Sequence, residues 1–168
     1  MIKNLAVVLM LVCALAACKK EKPKDVVLNA TPTTRALANG MPRLTMNMTD
    51  GTNVTMTDLN GKVLLVCYNP SCDHCQREAK VLSEHKDLFD GYEVYFLTPE
   101  TLEEAAKFQH EYNLEEPNIH FGRAEVPAIL PAIGVISTVP TFFVYQDQAL
   151  VKRLEGELPI DSLRDAME

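Results

Sequence analysis

The chain has no tryptophan, and its 168 residues include only 7 glycines. None of those glycines falls into a dinucleotide fingerprint or a phosphate loop, so no NAD or flavin site is expected and no cofactor is called for. Positive charge is also scarce: 16 Lys and Arg face 23 Asp and Glu, for a net charge of -7 and a pI near 5.1. An acidic surface does not meet phosphates, which excludes nucleic acid as a partner class. The apolar run Leu5–Ala17 is short of the roughly 20 residues a membrane helix needs. A closed zinc site wants two ligand pairs, and only one C-x-x-C is present, with His74, His85, His110 and His120 scattered around it. No metal is therefore expected. Internal repeats and low-complexity tracts are missing too.

What is present fits one globular domain with a tail: 47% of residues are hydrophobic and 23% charged. At the N-terminus, Lys3 precedes the apolar run, which ends in the small residues Ala16 and Ala17, as an export signal does. Leu15-Ala16-Ala17-Cys18 resembles the lipobox of bacterial lipoproteins. The resemblance implies a signal peptide over 1–17 and a lipid on Cys18. The lipid would anchor the chain to a membrane of the bacterial cell envelope, on the periplasmic side. Lys19 stands where inner-membrane retention uses an aspartate, which points toward the outer membrane. Residues 18–40 then read as a lipid-anchored linker, rich in Lys, Pro and Thr. Val26-Val27-Leu28 could form a short edge strand.

The folded domain is expected over 41–168. Leu44–Met48 and Asn53–Met56 alternate apolar and polar about Asp50-Gly51, which predicts a hairpin. Val63–Tyr68 is apolar throughout and suits a strand buried on both faces. A helix is predicted from about Cys72 to Phe89, with Cys75, Ala79, Leu82 and Phe89 on one stripe and Gly91 as its stop. A strand over Glu93–Leu97 follows. A second helix, capped by Thr98 with Pro99 at its first position, runs to about Tyr112. Residues 113–125 read as irregular and Val126–Ile133 as a short helix. Strands at Thr141–Tyr145 and Ala149–Leu154 and a helix at Pro159–Met167 complete the chain. Alternating strands and helices predict an α/β sheet covered on both faces.

Cys72-Asp73-His74-Cys75 carries the chemistry. The pair follows a buried strand and opens a helix. A helix N-terminus favours an anion, so a thiolate on Cys72 is stabilised there. The thiolate is the species that attacks a disulfide, and Cys75, one turn on, is placed to resolve the mixed disulfide. The imidazole of His74, cationic or hydrogen-bonding, would make that thiolate easier to form; the carboxylate of Asp73 would act against it. Cys67, inside the strand, reads as an inert small hydrophobe. Met46, Met48 and Met56 read as core filling, and His85, His110 and His120 as surface residues without partners.

The stretch from Met41 to the end resembles the thioredoxin-fold family, and in particular its membrane-tethered TlpA/ResA-like branch. Asp50-Gly51, Asp58-Leu59-Asn60-Gly61-Lys62, the strand to Tyr68, the C-x-x-C and Val139-Pro140-Thr141 carry the resemblance. It implies a thioredoxin-like α/β fold: a central mixed β-sheet flanked by helices, with an N-terminal β-hairpin extension. It implies that Cys72 and Cys75 form a redox disulfide, that Pro140 is a cis-proline beside them, and that the Val139 backbone pairs with substrate. Glu78 matches a glutamate that the ResA-like branch uses in proton handling. Two features depart from the family. Ser71 replaces the usual aromatic residue before the first cysteine, and Val66 stands where cytosolic thioredoxins bury an aspartate.

The function expected is thiol–disulfide exchange with exported protein thiols or disulfides, more as a reductase than an oxidant, fed by a membrane or periplasmic redox protein. Two alternatives stay open. A peroxiredoxin-like peroxidase shares the lead-in Gly61-Lys62-Val63, but Asn69 stands where its Thr-x-x-Cys signature needs threonine. A soft-metal chaperone for copper or zinc could use Cys72, Cys75 and a histidine.

Overall fold

The computed structural model describes residues 40–168. The signal peptide expected over 1–17, the lipid site expected at Cys18, the expected linker and the suggested strand at Val26–Leu28 lie outside the described residues, apart from Gly40, which bridges to Ala149.

Seven strands form one mixed sheet in the order β2-β1-β5-β4-β3-β6-β7. β1 (Thr45–Met48) and β2 (Asn53–Thr55) make the expected hairpin, turned by Asp50, whose carboxylate accepts the Thr52 N–H and hydroxyl at 2.8 and 2.6 Å. At the centre, β3 (Lys62–Cys67) runs parallel to β4 (Glu93–Thr98) and antiparallel to β6 (Thr141–Gln146). β7 (Ala149–Glu155) pairs with β6.

β5 (Ile119–Arg123) corrects the sequence reading, which leaves 113–125 irregular. β5 pairs parallel with β4 and antiparallel with β1, so it is the strand that joins the hairpin to the central sheet. Its composition, Ile-His-Phe-Gly-Arg, dilutes the apolar signal. Gly122 is required by close approach rather than by a turn: a Cβ there would lie 2.6 Å from Met48 Sδ and 2.9 Å from the Asn47 carbonyl oxygen.

Alternation along β3 divides the interior in two. Leu64, Val66 and Tyr68 face one cluster, built with α1 (Asp73–Glu84), α2 (Leu102–Glu111) and α4 (Ile160–Met167). Val63, Leu65 and Cys67 face the other, with α3 (Val126–Ile133) and the buried Met46, Met48 and Met56. In the first cluster Phe96 stacks on Phe121 at 4.3 Å between centroids, and Tyr68 meets both rings edge-on at 5.7 Å. Such pairs stabilise by about 0.5–1.5 kcal/mol each beyond area burial.

Two helix boundaries move. The helix predicted to reach Phe89 ends at Glu84, and Lys86–Phe89 continues as a 3-10 turn before Gly91. Serine, glutamate and histidine at 83–85 offer no apolar residue to hold the last turn down. The cap of α2 is Thr101, not Thr98: Thr101 Oγ1 accepts the Glu104 N–H, and the Glu104 carboxylate accepts the Thr101 N–H, a capping box. Pro99 therefore precedes the helix. Two histidines read as partnerless surface residues also have partners: His120 meets Glu93 at 2.8 Å and stacks on Tyr95, and His110 meets Glu115 at 3.1 Å.

Candidate redox site

β3 runs out of the core into Asn69-Pro70-Ser71, and this turn carries Cys72 to the N-cap of α1. Cys72 keeps extended dihedrals, φ -86° and ψ 121°, so α1 begins at Asp73. Asn69 organises the turn. Its Oδ1 accepts the Ser71 N–H at 2.8 Å and the Ser71 hydroxyl at 2.7 Å. Its backbone oxygen accepts the Cys72 N–H at 3.1 Å, and its amide nitrogen donates to Glu100 at 3.1 Å.

The two cysteines are unequal. Cys72 is half-buried and Cys75 is 2% exposed, and both are free thiols in this structure. Burial pushes the Cys75 thiol up to about 12, against the pull of the Asn69 N–H on its sulfur; the charges of Cys72 and Glu78 push it further. Cys67 is also 3% exposed, and burial pushes it up to about 12.

Glu78 lies on α1 just inside Cys75 and is 4% exposed. Burial raises its carboxyl to about 7; the Leu158 N–H, which Oε2 accepts at 3.1 Å, holds it lower than burial alone would, and the charge of Glu157 pushes it up again. A group with that value exchanges protons near neutral pH.

The peptide bond Val139–Pro140 is cis, and Pro140 is buried. Thr141, next in the chain, donates its hydroxyl to the Thr138 carbonyl at 2.5 Å. Thr141 pairs with Cys67 across β6 and β3, and Val139 and Asn69 line the same groove, so the proline loop lies beside the turn that leads to Cys72. Between this loop and α3 runs an apolar groove of about 230 Å³, lined by Asn69, Val139, Val126 and Leu130 and floored by Cys67. Val126 and Leu130 are 48% and 47% exposed on its rim.

His74 and Asp73 project from the first turn of α1, both exposed. The imidazole of His74 bonds to Glu157, a residue of the turn between β7 and α4, rather than standing free beside the thiol. Arg77 joins them. Neither Arg77 nor Glu157 is evident as a site residue from sequence. Arg77 stands one helical turn from His74, which is a usable signal; Glu157 lies 83 residues from His74 and offers none. Among the described residues no group of three or more His, Cys, Asp or Glu is gathered as a metal site would require.

The fold has known counterparts. A secreted disulfide oxidoreductase of Mycobacterium tuberculosis, described as homologous to Escherichia coli DsbE, superposes with a TM-score of 0.64 at 17% identity, over 74% of this chain and 94% of that one. StoA from Bacillus subtilis gives 0.59 at 15% identity, over 74% and 95%. Copper-bound ScoI from Arabidopsis thaliana gives 0.59 at 17% identity, over 76% and 94%. These likenesses establish the thioredoxin-like fold. No protein of curated function matches the sequence. A family model spanning residues 37–153 does match, and by it the chain belongs to the AhpC/TSA family.

Proposed function

We propose that this protein is a thiol–disulfide oxidoreductase of the TlpA/ResA-like kind, acting on protein thiols and disulfides in the cell envelope. The observation that carries the reading is the asymmetry of the pair: an accessible Cys72 at a helix N-cap and a buried Cys75 one turn behind it.

In the reducing direction, the Cys72 thiolate attacks one sulfur of a partner disulfide. That S–S bond breaks, and the partner's other sulfur leaves as a thiolate. Cys75 then gives up its proton and attacks Cys72 Sγ. The mixed disulfide breaks, the Cys72–Cys75 bond forms, and the second partner sulfur leaves. Two electrons pass to the partner, and its two thiolates take up protons. Glu78, with a carboxyl near 7, is the base available for the Cys75 proton. The Val139 backbone and the groove behind it offer a place for an extended partner segment with an apolar side chain near its cysteine.

The direction proposed is reduction, fed by a membrane or periplasmic redox protein. Export and a lipid on Cys18 are part of the same proposal, supported by the lipobox-like sequence. Peptide mass mapping of the membrane fraction checks it: an acylated N-terminal Cys18 is expected, and an intact 1–17 segment refutes it.

Equilibration in glutathione buffers tests the function. A reversible Cys72–Cys75 disulfide near the thioredoxin value of about -270 mV is expected for a reductase. A value near the DsbA end, about -120 mV, makes the protein a disulfide donor instead. If no reversible disulfide forms, the oxidoreductase reading fails. Family membership makes peroxide turnover the control. Asn69, in the place of the peroxidase threonine, spends its side-chain amide on Ser71 and Glu100.

A further inference from the structure

Glu157 sits between the end of β7 and the start of α4, yet its carboxylate spans the first turn of α1. Oε1 meets His74 Nδ1 and accepts from Arg77 Nη2 at 2.5 Å; Oε2 accepts from Arg77 Nε at 3.0 Å. Arg77 Nη2 also stands 2.8 Å from His74 Nδ1. The bonds to Arg77 and His74 hold the Glu157 carboxyl down to about 2, so it is ionised at any working pH.

Arginine has five donors and no acceptor. His74 Nδ1 therefore has two exclusive roles. With a proton on Nδ1 it donates to Glu157. Without one it accepts from Arg77. The ring is held in either state, and its cationic form is always offset by the carboxylate. The guanidinium of Arg77 is offset in the same way, and it is close enough to Cys72 for their charges to act on each other. Besides Cys75, the charged or titratable groups of α1 at this place are Asp73, His74, Arg77 and buried Glu78; the β7–α4 turn adds Glu157 alone.

We propose that Glu157 is a positioning residue for the cysteine pair. Through His74 and Arg77 it withholds positive charge from Cys72 and keeps the pair reducing. This rests on the thiol–disulfide reading. The reasoning is electrostatic. A cation beside Cys72 stabilises the thiolate, hence the reduced protein, hence a more oxidising couple. Without Glu157, the positive charge of Arg77 and of any His74 imidazolium acts on the thiolate with only Asp73 left to oppose it. The clamp also fixes where His74 points, since the same carboxylate is anchored bidentately by Arg77.

The test uses the full chain as wild type, Glu157→Gln and Arg77→Gln, each equilibrated in glutathione buffers, with the Cys72–Cys75 disulfide read by alkylation and peptide mass mapping. Glu157→Gln is expected to favour the reduced protein about threefold to tenfold, a rise of no more than about 30 mV. Arg77→Gln is expected to move the constant the opposite way. Both shifts shrink in 0.5 M salt, because the three side chains are 63%, 55% and 36% exposed for His74, Arg77 and Glu157. An unmoved constant in Glu157→Gln overturns the proposal while leaving the oxidoreductase reading intact. So does a shift of the same sign in both variants, which marks a purely structural clamp. A wild type that forms no reversible disulfide overturns both.

Discussion

The backbone N–H of Asn69 points at Cys75 Sγ across 3.5 Å, tying the turn that ends β3 to the helix it launches. This bond favours a Cys75 thiolate, but burial outweighs it and leaves the thiol near 12. Cys67 is as deeply protonated for the same reason, without such a donor. Cys72 is half-exposed. Iodoacetamide at pH 8 should therefore modify Cys72 at least tenfold faster than Cys75 or Cys67, as read by peptide mass mapping. Equal labelling of Cys72 and Cys75 in the folded protein would contradict the asymmetry on which the mechanism depends.

The same asymmetry fixes which variant traps a partner. On the proposed mechanism, Cys75→Ser leaves the attacking thiolate but removes the resolving thiol, so mixed disulfides through Cys72 should accumulate on non-reducing gels. Cys72→Ser should trap little, because Cys75 is buried and protonated. Efficient trapping by Cys72→Ser would reverse the two roles.

Much of this site is legible in the sequence because it is local. Val63–Tyr68 is an unbroken apolar run, and the strand, the turn, the cysteine pair and Glu78 follow within one short segment. Periodicity places Cys75, Ala79 and Leu82 on one buried face, and they are buried. What stays illegible is either long-range or compositionally weak. The Glu157 clamp joins residues about 80 positions apart, through a turn whose path depends on the whole sheet. β5 carries a histidine, a glycine and an arginine among five residues, and tertiary pairing on both edges overrides that weak propensity. The cap of α2 is misread because Thr98-Pro99 and Thr101-Leu102 both look like helix starts. Only the reciprocal bonds of Glu104 select the second.

Glu78 makes stability depend on pH. Its folded value near 7 is above its ordinary 4.5, so the native state binds the proton more tightly than the unfolded chain. The stabilisation this brings is full below about pH 4.5 and is lost as pH rises through about 7. Glu78→Gln keeps a polar group toward Leu158 and cannot ionise. Relative to wild type, Glu78→Gln should gain on the order of 2–3 kcal/mol between pH 4.5 and pH 8 in urea unfolding. A difference that does not change with pH would show that the carboxyl titrates normally. If Glu78 is also the base for Cys75, the same variant should resolve mixed disulfides more slowly without changing the first attack by Cys72.

Tyr68 follows directly on β3 with its ring buried among Phe96, Phe108 and Phe121, and its hydroxyl finds no hydrogen-bond partner among the described residues. Burial and the nearby Cys75 sulfur both push the phenol far above its ordinary value, so it stays neutral and cannot serve as a proton donor of use to the pair. Removing an unpaired buried hydroxyl returns its desolvation cost, about 1–3 kcal/mol, less the packing lost with one oxygen. Tyr68→Phe should therefore be neutral or stabilising in urea unfolding and should leave the Cys72–Cys75 exchange constant unchanged. A loss of more than about 1 kcal/mol would mean that the hydroxyl is bonded in solution, and a change in the exchange constant would draw Tyr68 into the redox site.

Gly122 tests the seam between the hairpin and the central sheet. It lies opposite Met48 in the β1–β5 pairing, and a Cβ there meets the Asn47 carbonyl oxygen at 2.9 Å as well as the Met48 sulfur. The sulfur can rotate aside only into a full core, since Met46 and Met48 are 0% and 4% exposed. The carbonyl is backbone and can retreat only if β1 does. Gly122→Ala should therefore cost about 1–3 kcal/mol, the range for overpacking a well-filled interior. In the sheet order, β4 separates β5 from β3, the strand that delivers Cys72. The lost stability should thus come with an unchanged glutathione exchange constant for Cys72–Cys75. A neutral Gly122→Ala would show that β1 does not press on β5 as described. A shifted exchange constant would show that the hairpin reaches the redox pair through the sheet, making the extension part of the redox machinery rather than a brace for the sheet's far edge.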